Sequence, residues 1–212
     1  MPIGIDMGPA SFLGRSGETV AITPETGGFG DIYVGCAWET IRQIPRGFFA
    51  RLLGLGSTEK IDLDLGALCE MQDGSRFALQ ALGDGHGAHD APPYITLSPD
   101  ERTGMAAGDD EFFKINGAMW PNVKRVLIYV YIYQGRKTWA DIRPSVRVDI
   151  PGQPDVTITP HVGVATLPLC ALVLLENSRN GMKITNLTEY FPGQAEMDRA
   201  YGFGFMWGEG AK

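Results

Sequence analysis

Cysteine and histidine are scarce in this chain of 212 residues, which holds three of each. Cys36, Cys69 and Cys170 lie far apart, which excludes a C-x-x-C motif and a dense disulfide framework. They read as small core residues of a protein kept in a reducing cytoplasm. Basic residues are outnumbered, with 18 Lys and Arg against 25 Asp and Glu and a net charge of −7. That balance excludes a nucleic-acid surface, which needs clustered Lys and Arg. Long apolar runs are absent: the longest reach about ten residues, about half of what a membrane-spanning helix needs. Met1 to Leu13 carries no basic residue and no apolar run, so no secretory leader is expected. No heptad and no long segment of helical period occurs, which excludes a coiled coil.

What remains is globular. Hydrophobic residues make up 44% and charged residues 20%, enough to bury one sizeable core. Met1 to Ser16 reads as a loose arm, and 17–212 as a single domain with a basic, apolar insertion near 41–58. Short apolar runs between turn residues read as strands: Thr19–Ile22, Ile32–Trp38, Ile61–Met71, Phe77–Leu82, Val146–Ile150, Val156–Thr159, Leu167–Leu175 and Met182–Tyr190. Asp73-Gly74 marks a hairpin turn between two of them. The strongest run is Val126–Tyr133, where Val126, Ile128, Val130 and Ile132 alternate with Leu127, Tyr129, Tyr131 and Tyr133. A period of two sends the aliphatic side chains to the core and the tyrosines to the opposite face, their hydroxyls toward water or a partner. Gln194–Tyr201 is the best helix, preceded by Pro192-Gly193 and ended by Gly202. The expected fold is all-β, an antiparallel sandwich with short helices.

Carboxylates concentrate in two places. In Asp62-Leu63-Asp64 a strand would put both acids on one face, where they repel unless a cation or donors sit between them. Asp100-Glu101-Arg102-Thr103-Gly104 and Gly108-Asp109-Asp110-Glu111 place five acids within twelve residues. Hard oxygen ligands on a loop suit Ca²⁺. The loop is not an EF-hand, because Arg102 and Gly104 stand where that motif needs acids. A solvated acidic loop is the alternative. His86 and His89 in a Gly-rich stretch are either transition-metal ligands or part of a solvated loop. Gly83-x-Gly85-x-Gly87 lacks dinucleotide spacing, and no G-x-S-x-G motif occurs. In Pro45–Leu55, Arg46 and Arg51 accompany Phe48, Phe49, Leu52 and Leu53. This segment either packs on the sandwich or makes a peripheral contact with a membrane or partner.

Together these residues resemble the tellurium-resistance TerD-domain family, most closely its TerA-type members. Gly17–Ile22 looks like the family's opening strand, and Val34-Gly35-Cys36-Ala37-Trp38-Glu39 like its V-G-x-x-W block. Lys60–Leu65 matches its D-L-D strand, and 100–111 its R-T-G…G-D-D-E loop. Pro92–Ile95 and Tyr190–Arg199 are similar to the TerA-type additions. The resemblance implies a Ca²⁺-binding sandwich without enzymatic activity in a bacterial stress-response system. It implies ligands at Asp62, Asp64, Asp100, Asp109, Asp110 and Glu111, with a backbone carbonyl from Gly104. Arg102, a cation, would pair with an acid rather than ligate. The implied partners are other TerD-domain proteins and a membrane protein, with a cytoplasmic location or one peripheral to the inner membrane. The chain departs from the pattern at Glu39, Glu101 and Met105-Ala106-Ala107, which bears on the number of ions held. A metal-free assembly module, and a metal-dependent hydrolase using the same acids, are the competing readings.

Overall fold

A computed structural model describes residues 11–24, 27–38, 62–80, 85–98, 111–134, 139–142, 144–160, 166–179 and 181–208. In chain order the strands are β1 (Ser11–Leu13), β2 (Thr19–Ile22), β3 (Ile32–Ala37), β4 (Asp62–Met71), β5 (Arg76–Gln80), β6 (Gly87–Ala88) and β7 (Ile95–Leu97). They continue as β8 (Glu111–Ile115), β9 (Val123–Gln134), β10 (Ser145–Asp149), β11 (Val156–Ile158), β12 (Leu169–Ser178) and β13 (Gly181–Phe191). Among the described residues the helices are α1 (Trp139–Ile142) and α2 (Gln194–Tyr201), and a 3₁₀ turn spans Gly117–Asn122. One sheet runs β1-β11-β10-β3-β8-β7-β6 and the other β2-β13-β12-β9-β4-β5. Pairing is antiparallel except between β1 and β11. The all-β sandwich expected from the sequence is the fold observed.

Alternation explains the main core. Val126, Ile128 and Val130 of β9 point between the sheets, as do Leu63, Leu65, Ala67 and Cys69 of β4. They meet Val34, Phe113, Ile115 and Val148 from the facing sheet, all in one buried cluster. Each Val, Leu, Ile or Phe among them taken fully from water contributes about 1.5–3 kcal/mol. The β4–β5 hairpin closes where the sequence marked it. Gly74 takes φ +85, and Asp73 accepts hydrogen bonds from the Ser75 amide and hydroxyl at 2.9 and 2.6 Å.

The structure corrects two expectations. The span assigned to a loose arm holds a strand: β1 pairs in parallel with β11, Leu13 is buried, and the buried Asn186 amide donates to the Leu13 carbonyl at 3.0 Å. Three residues show no readable period, so long-range pairing rather than local pattern makes this strand. Residues 1–10 lie outside the described residues. The second correction concerns the tyrosine face of β9. Tyr129 is only 2% exposed, because α2 and residues 203–207 cover that face. Leu68, Leu127, Leu169, Met197 and Phe203 make a second apolar cluster there.

The covering segment is anchored by polar groups. Buried Asp198 accepts hydrogen bonds from the amides of Gly204 and Phe205 and from Trp207 Nε1 at 2.7, 2.8 and 2.9 Å. Gly202 ends α2 in the left-handed conformation (φ +65), as the sequence suggested. The Arg125 guanidinium donates to the carbonyls of Tyr201 and Gly202 and lies 4.1 Å from the Phe203 ring centroid. Buried Glu70 holds Arg125 and Lys124, and Lys124 first, then Arg125, draw its carboxyl below the ordinary range despite burial.

Candidate metal centre

Strands β7 and β8 are neighbours, and the connection between them, 99–110, carries most of the acidic loop. A backbone and side-chain pair closes the stem: the Ser98 amide donates to the Phe112 carbonyl at 2.8 Å, and the Phe112 amide to Ser98 Oγ at 3.1 Å. Glu111 is the first residue of β8. It shares the inward face with Phe113 and Ile115 and is 6% exposed. Its Oε2 accepts a hydrogen bond from the Leu65 amide at 2.8 Å, reaching from one sheet to the other. Among the described residues the pairing of β5 with β4 ends at Gly66, next to this amide. The Glu111 side chain thereby satisfies a backbone donor of the opposite sheet.

This bond joins the two acidic segments that sequence reasoning chose separately. Leu63 and Leu65 are buried in the core as expected. Asp64, between them, is half-buried and pairs in register with Tyr131. Asp62 begins β4 opposite Gln134. Asp100, Arg102, Gly104, Asp109 and Asp110 lie outside the described residues, as do Met105 to Ala107 and the segments Pro45–Leu55 and 41–58. Among the described residues no three His, Cys, Asp or Glu side chains are grouped to hold a metal ion. Glu111, and Asp64 next to its partner Leu65, offer hard carboxylate oxygens. That chemistry fits Ca²⁺ better than a thiophilic or imidazole-seeking metal.

Sequence reasoning missed the polar contact beside Asp64. Tyr129 stands opposite Gly66 on β4, diagonal to Asp64. Its ring crosses the space a side chain at 66 would fill: a Cβ there would lie 2.3 Å from Cζ. Gln194 Nε2 donates to the Tyr129 hydroxyl at 2.6 Å and to Gln80 Oε1 at 3.0 Å. Burial, with the Asp64 charge adding, pushes the phenol up to about 12 while Gln194 opposes the shift. The only signal available was the tyrosine alternation itself.

His89 is held by carboxylates. Its Nδ1 lies 2.9 Å from Asp90 Oδ1, its Nε2 2.8 Å from Asp31 Oδ1, and Lys114 Nζ reaches Asp31 Oδ2 at 2.8 Å. With an acceptor at each ring nitrogen the charged imidazolium is favoured. Hydrogen bonds to Asp90 and then Asp31 raise the His89 pKa, and Lys114 and then His89 lower that of Asp31. This is an ion-paired clasp between the 85–94 segment and the first sheet.

The class defined by fold and site is a two-sheet sandwich with a buried glutamate tying its acidic loop to a D-L-D strand. The chain is 39% identical to "Tellurium resistance protein TerA" from Alcaligenes sp. over 185 residues, 87% of this chain and 53% of that protein. That similarity, over most of this chain, bears out the resemblance to TerA-type tellurium-resistance proteins read from the sequence. It spans about half the length of the curated relative it matches. No family model matches. Among the described residues no helix is long and apolar enough to cross a membrane.

Proposed function

We propose that this protein is a non-enzymatic, calcium-ordered interaction module of a tellurite-resistance stress response. The observation that supports it is the Glu111–Leu65 hydrogen bond, which sets the end of the acidic loop against the D-L-D strand. Asp62, Asp64, Asp100, Asp109, Asp110 and Glu111 would supply side-chain oxygens, and Gly104 a carbonyl. A dication there relieves the repulsion among these carboxylates and orders the loop. The ordered loop would then present a surface to other TerD-domain proteins and a membrane-protein partner, in the cytoplasm or at the inner membrane.

The test is thermal unfolding of chelator-stripped protein with and without millimolar Ca²⁺, with Mg²⁺ as control. At a hundred-fold excess over Kd, binding adds about 2.7 kcal/mol to stability, which for a chain of this size is a rise of about 5–10 °C. Asp64→Ala and Asp110→Ala should each abolish the gain. An undiminished gain in both variants moves the site elsewhere. No gain in wild-type protein shown by metal analysis to be calcium-free favours the metal-free assembly module. That second reading has its own support in the exposed Tyr33–Phe112 ring pair on the open face of the first sheet.

A further inference from the structure

We propose that the free edge of β2 is a docking surface for a second copy of this chain, joined by antiparallel pairing of the two β2 strands about a two-fold axis at Val20. Strand β2 closes one side of the second sheet, and among the described residues it pairs only with β13. The alignment of that pair shows which backbone groups are left over. Gly17 (φ +84) donates its amide to the Asn186 carbonyl at 2.8 Å, and the Asn186 amide donates to the Glu18 carbonyl at 2.9 Å. Two residues thus face one, a bulge with glycine in the left-handed position. Glu18 turns its carbonyl to β13, and alternation sends the backbone groups of Val20 and Ile22 the same way. Gly181 on β13 agrees with this phase, since a Cβ there would meet the Ile22 carbonyl oxygen at 2.8 Å. The amides and carbonyls of Thr19 and Ala21 therefore point away from β13, off the edge of the sheet, and both residues are exposed.

The other sheet edges are engaged or shorter. On β5 the Gln80 amide donates to the Gly85 carbonyl at 3.1 Å, and the Arg76 guanidinium reaches the Gly204 carbonyl. Strand β6 has two residues and β1 three. An exposed edge is normally guarded by a charge or a proline within the strand. Thr19-Val20-Ala21-Ile22 has neither. The nearest charge, Glu18, is turned back: its Oε2 accepts from the amides of Gly14 and Arg15 at 2.8 and 3.1 Å. Lys183, opposite Ala21 on β13, is held by Glu176 at 2.9 Å. On a chain of net charge −7 this edge is neutral, so a second such edge meets it without like-charge repulsion. The strand also fits itself. With Val20 opposite Val20 of the second copy, Thr19 faces Ala21 of that copy and Ala21 faces its Thr19. Each opposed pair then exchanges both N–H···O bonds, and the side chains brought together on the outer face are small. Exposed Phe12 on β1 adds apolar surface on the same side, because residues 14–18 and the Asn186–Leu13 hydrogen bond tie β1 to this margin. A contact this short makes a reversible dimer.

Sedimentation of the full-length chain over a concentration series, in the presence of chelator, tests this apart from the calcium reading. The mass should rise from the 23.0 kDa of one chain toward twice that value. Ala21→Pro deletes an amide that β13 does not use, and proline is tolerated on such an edge. It should weaken association by about tenfold or more, because both copies lose that hydrogen bond, with little change in melting temperature. Ala21→Lys keeps the amide and sets like charges diagonally across the axis, so it weakens the dimer even if Ala21→Pro folds poorly. Cross-linking reads the alignment. The three native thiols are buried, so an introduced cysteine reacts alone. Under mild oxidation Val20→Cys should give a disulfide between copies. Thr23→Cys should not, because in this alignment the two substituted positions lie about 20 Å apart. A wild-type chain that stays monomeric at its highest soluble concentration overturns the proposal. A dimer undiminished in both Ala21 variants, or a cross-link at Thr23 as fast as at Val20, overturns it as well and moves the contact to another surface.

Discussion

At the scale of the residue, His89 shows how one side chain acquires a role that its neighbours in sequence do not reveal. His-x-x-His suggested either a metal ligand or a solvated loop. Asp31, far away in the chain, makes it half of an ion pair instead. The pH dependence follows from the signs. The folded pKa of His89 is raised, so its stabilisation is complete below the unfolded value of about 6.5 and is lost as pH rises through the folded value. The pKa of Asp31 is lowered, so its share is present above the ordinary value of 3.8 and is lost as pH falls through the folded value. His89→Gln should cost about 0.5–1 kcal/mol near pH 6, the scale of a partly exposed ion pair. It should also flatten the decline in stability on the alkaline side of neutrality. Urea unfolding across that range checks this, and an alkaline decline equal to wild type would show that His89 does not hold the clasp.

At the scale of the element, legibility followed the period. Strands β4, β9, β12 and β13 are ten residues or longer; β9 was legible from its alternation, the other three as apolar runs between turn residues, and α2 from its Pro-Gly entry and Gly exit. Strands β1, β6 and β7 are two or three residues long, and pairing across the sheet makes them. The tyrosine face of β9 was misjudged because its cover comes from a helix beginning about sixty residues later, and a strand's pattern does not announce what packs on it. The site divides likewise. Asp64 and Glu111 were visible as acids in motifs, whereas Tyr129 and Gln194 look like ordinary surface residues until the C-terminal segment brings Gln194 onto the Tyr129 hydroxyl. That segment is held by Asp198 more than by its length. Asp198→Ala strips the acceptor from two amides and an indole at once. It should destabilise the protein by about 1–3 kcal/mol and raise the access of a fluorescence quencher to Trp207. Unchanged quenching and stability would mean that the apolar contacts of Phe203 and Met197 suffice to hold the segment.

At the scale of the whole molecule, the sandwich decides what its cysteines are able to do. Cys36, Cys69 and Cys170 are each 0% exposed, spread over three strands of the two sheets. Burial pushes the thiols of Cys69 and Cys170 up to about 12. At neutral pH the thiolate fraction of such a group is on the order of one in a hundred thousand, and the thiolate is the reactive form. A reagent therefore reaches these sulfurs only when the sheets part. Native protein given an excess of a thiol-specific disulfide reagent should react no faster than it unfolds, and all three thiols should titrate at once in denaturant. Prompt reaction of even one thiol in native protein would mean that an opening smaller than global unfolding exposes it, and a redox role would follow. A redox role at these cysteines would therefore require the sheets to part.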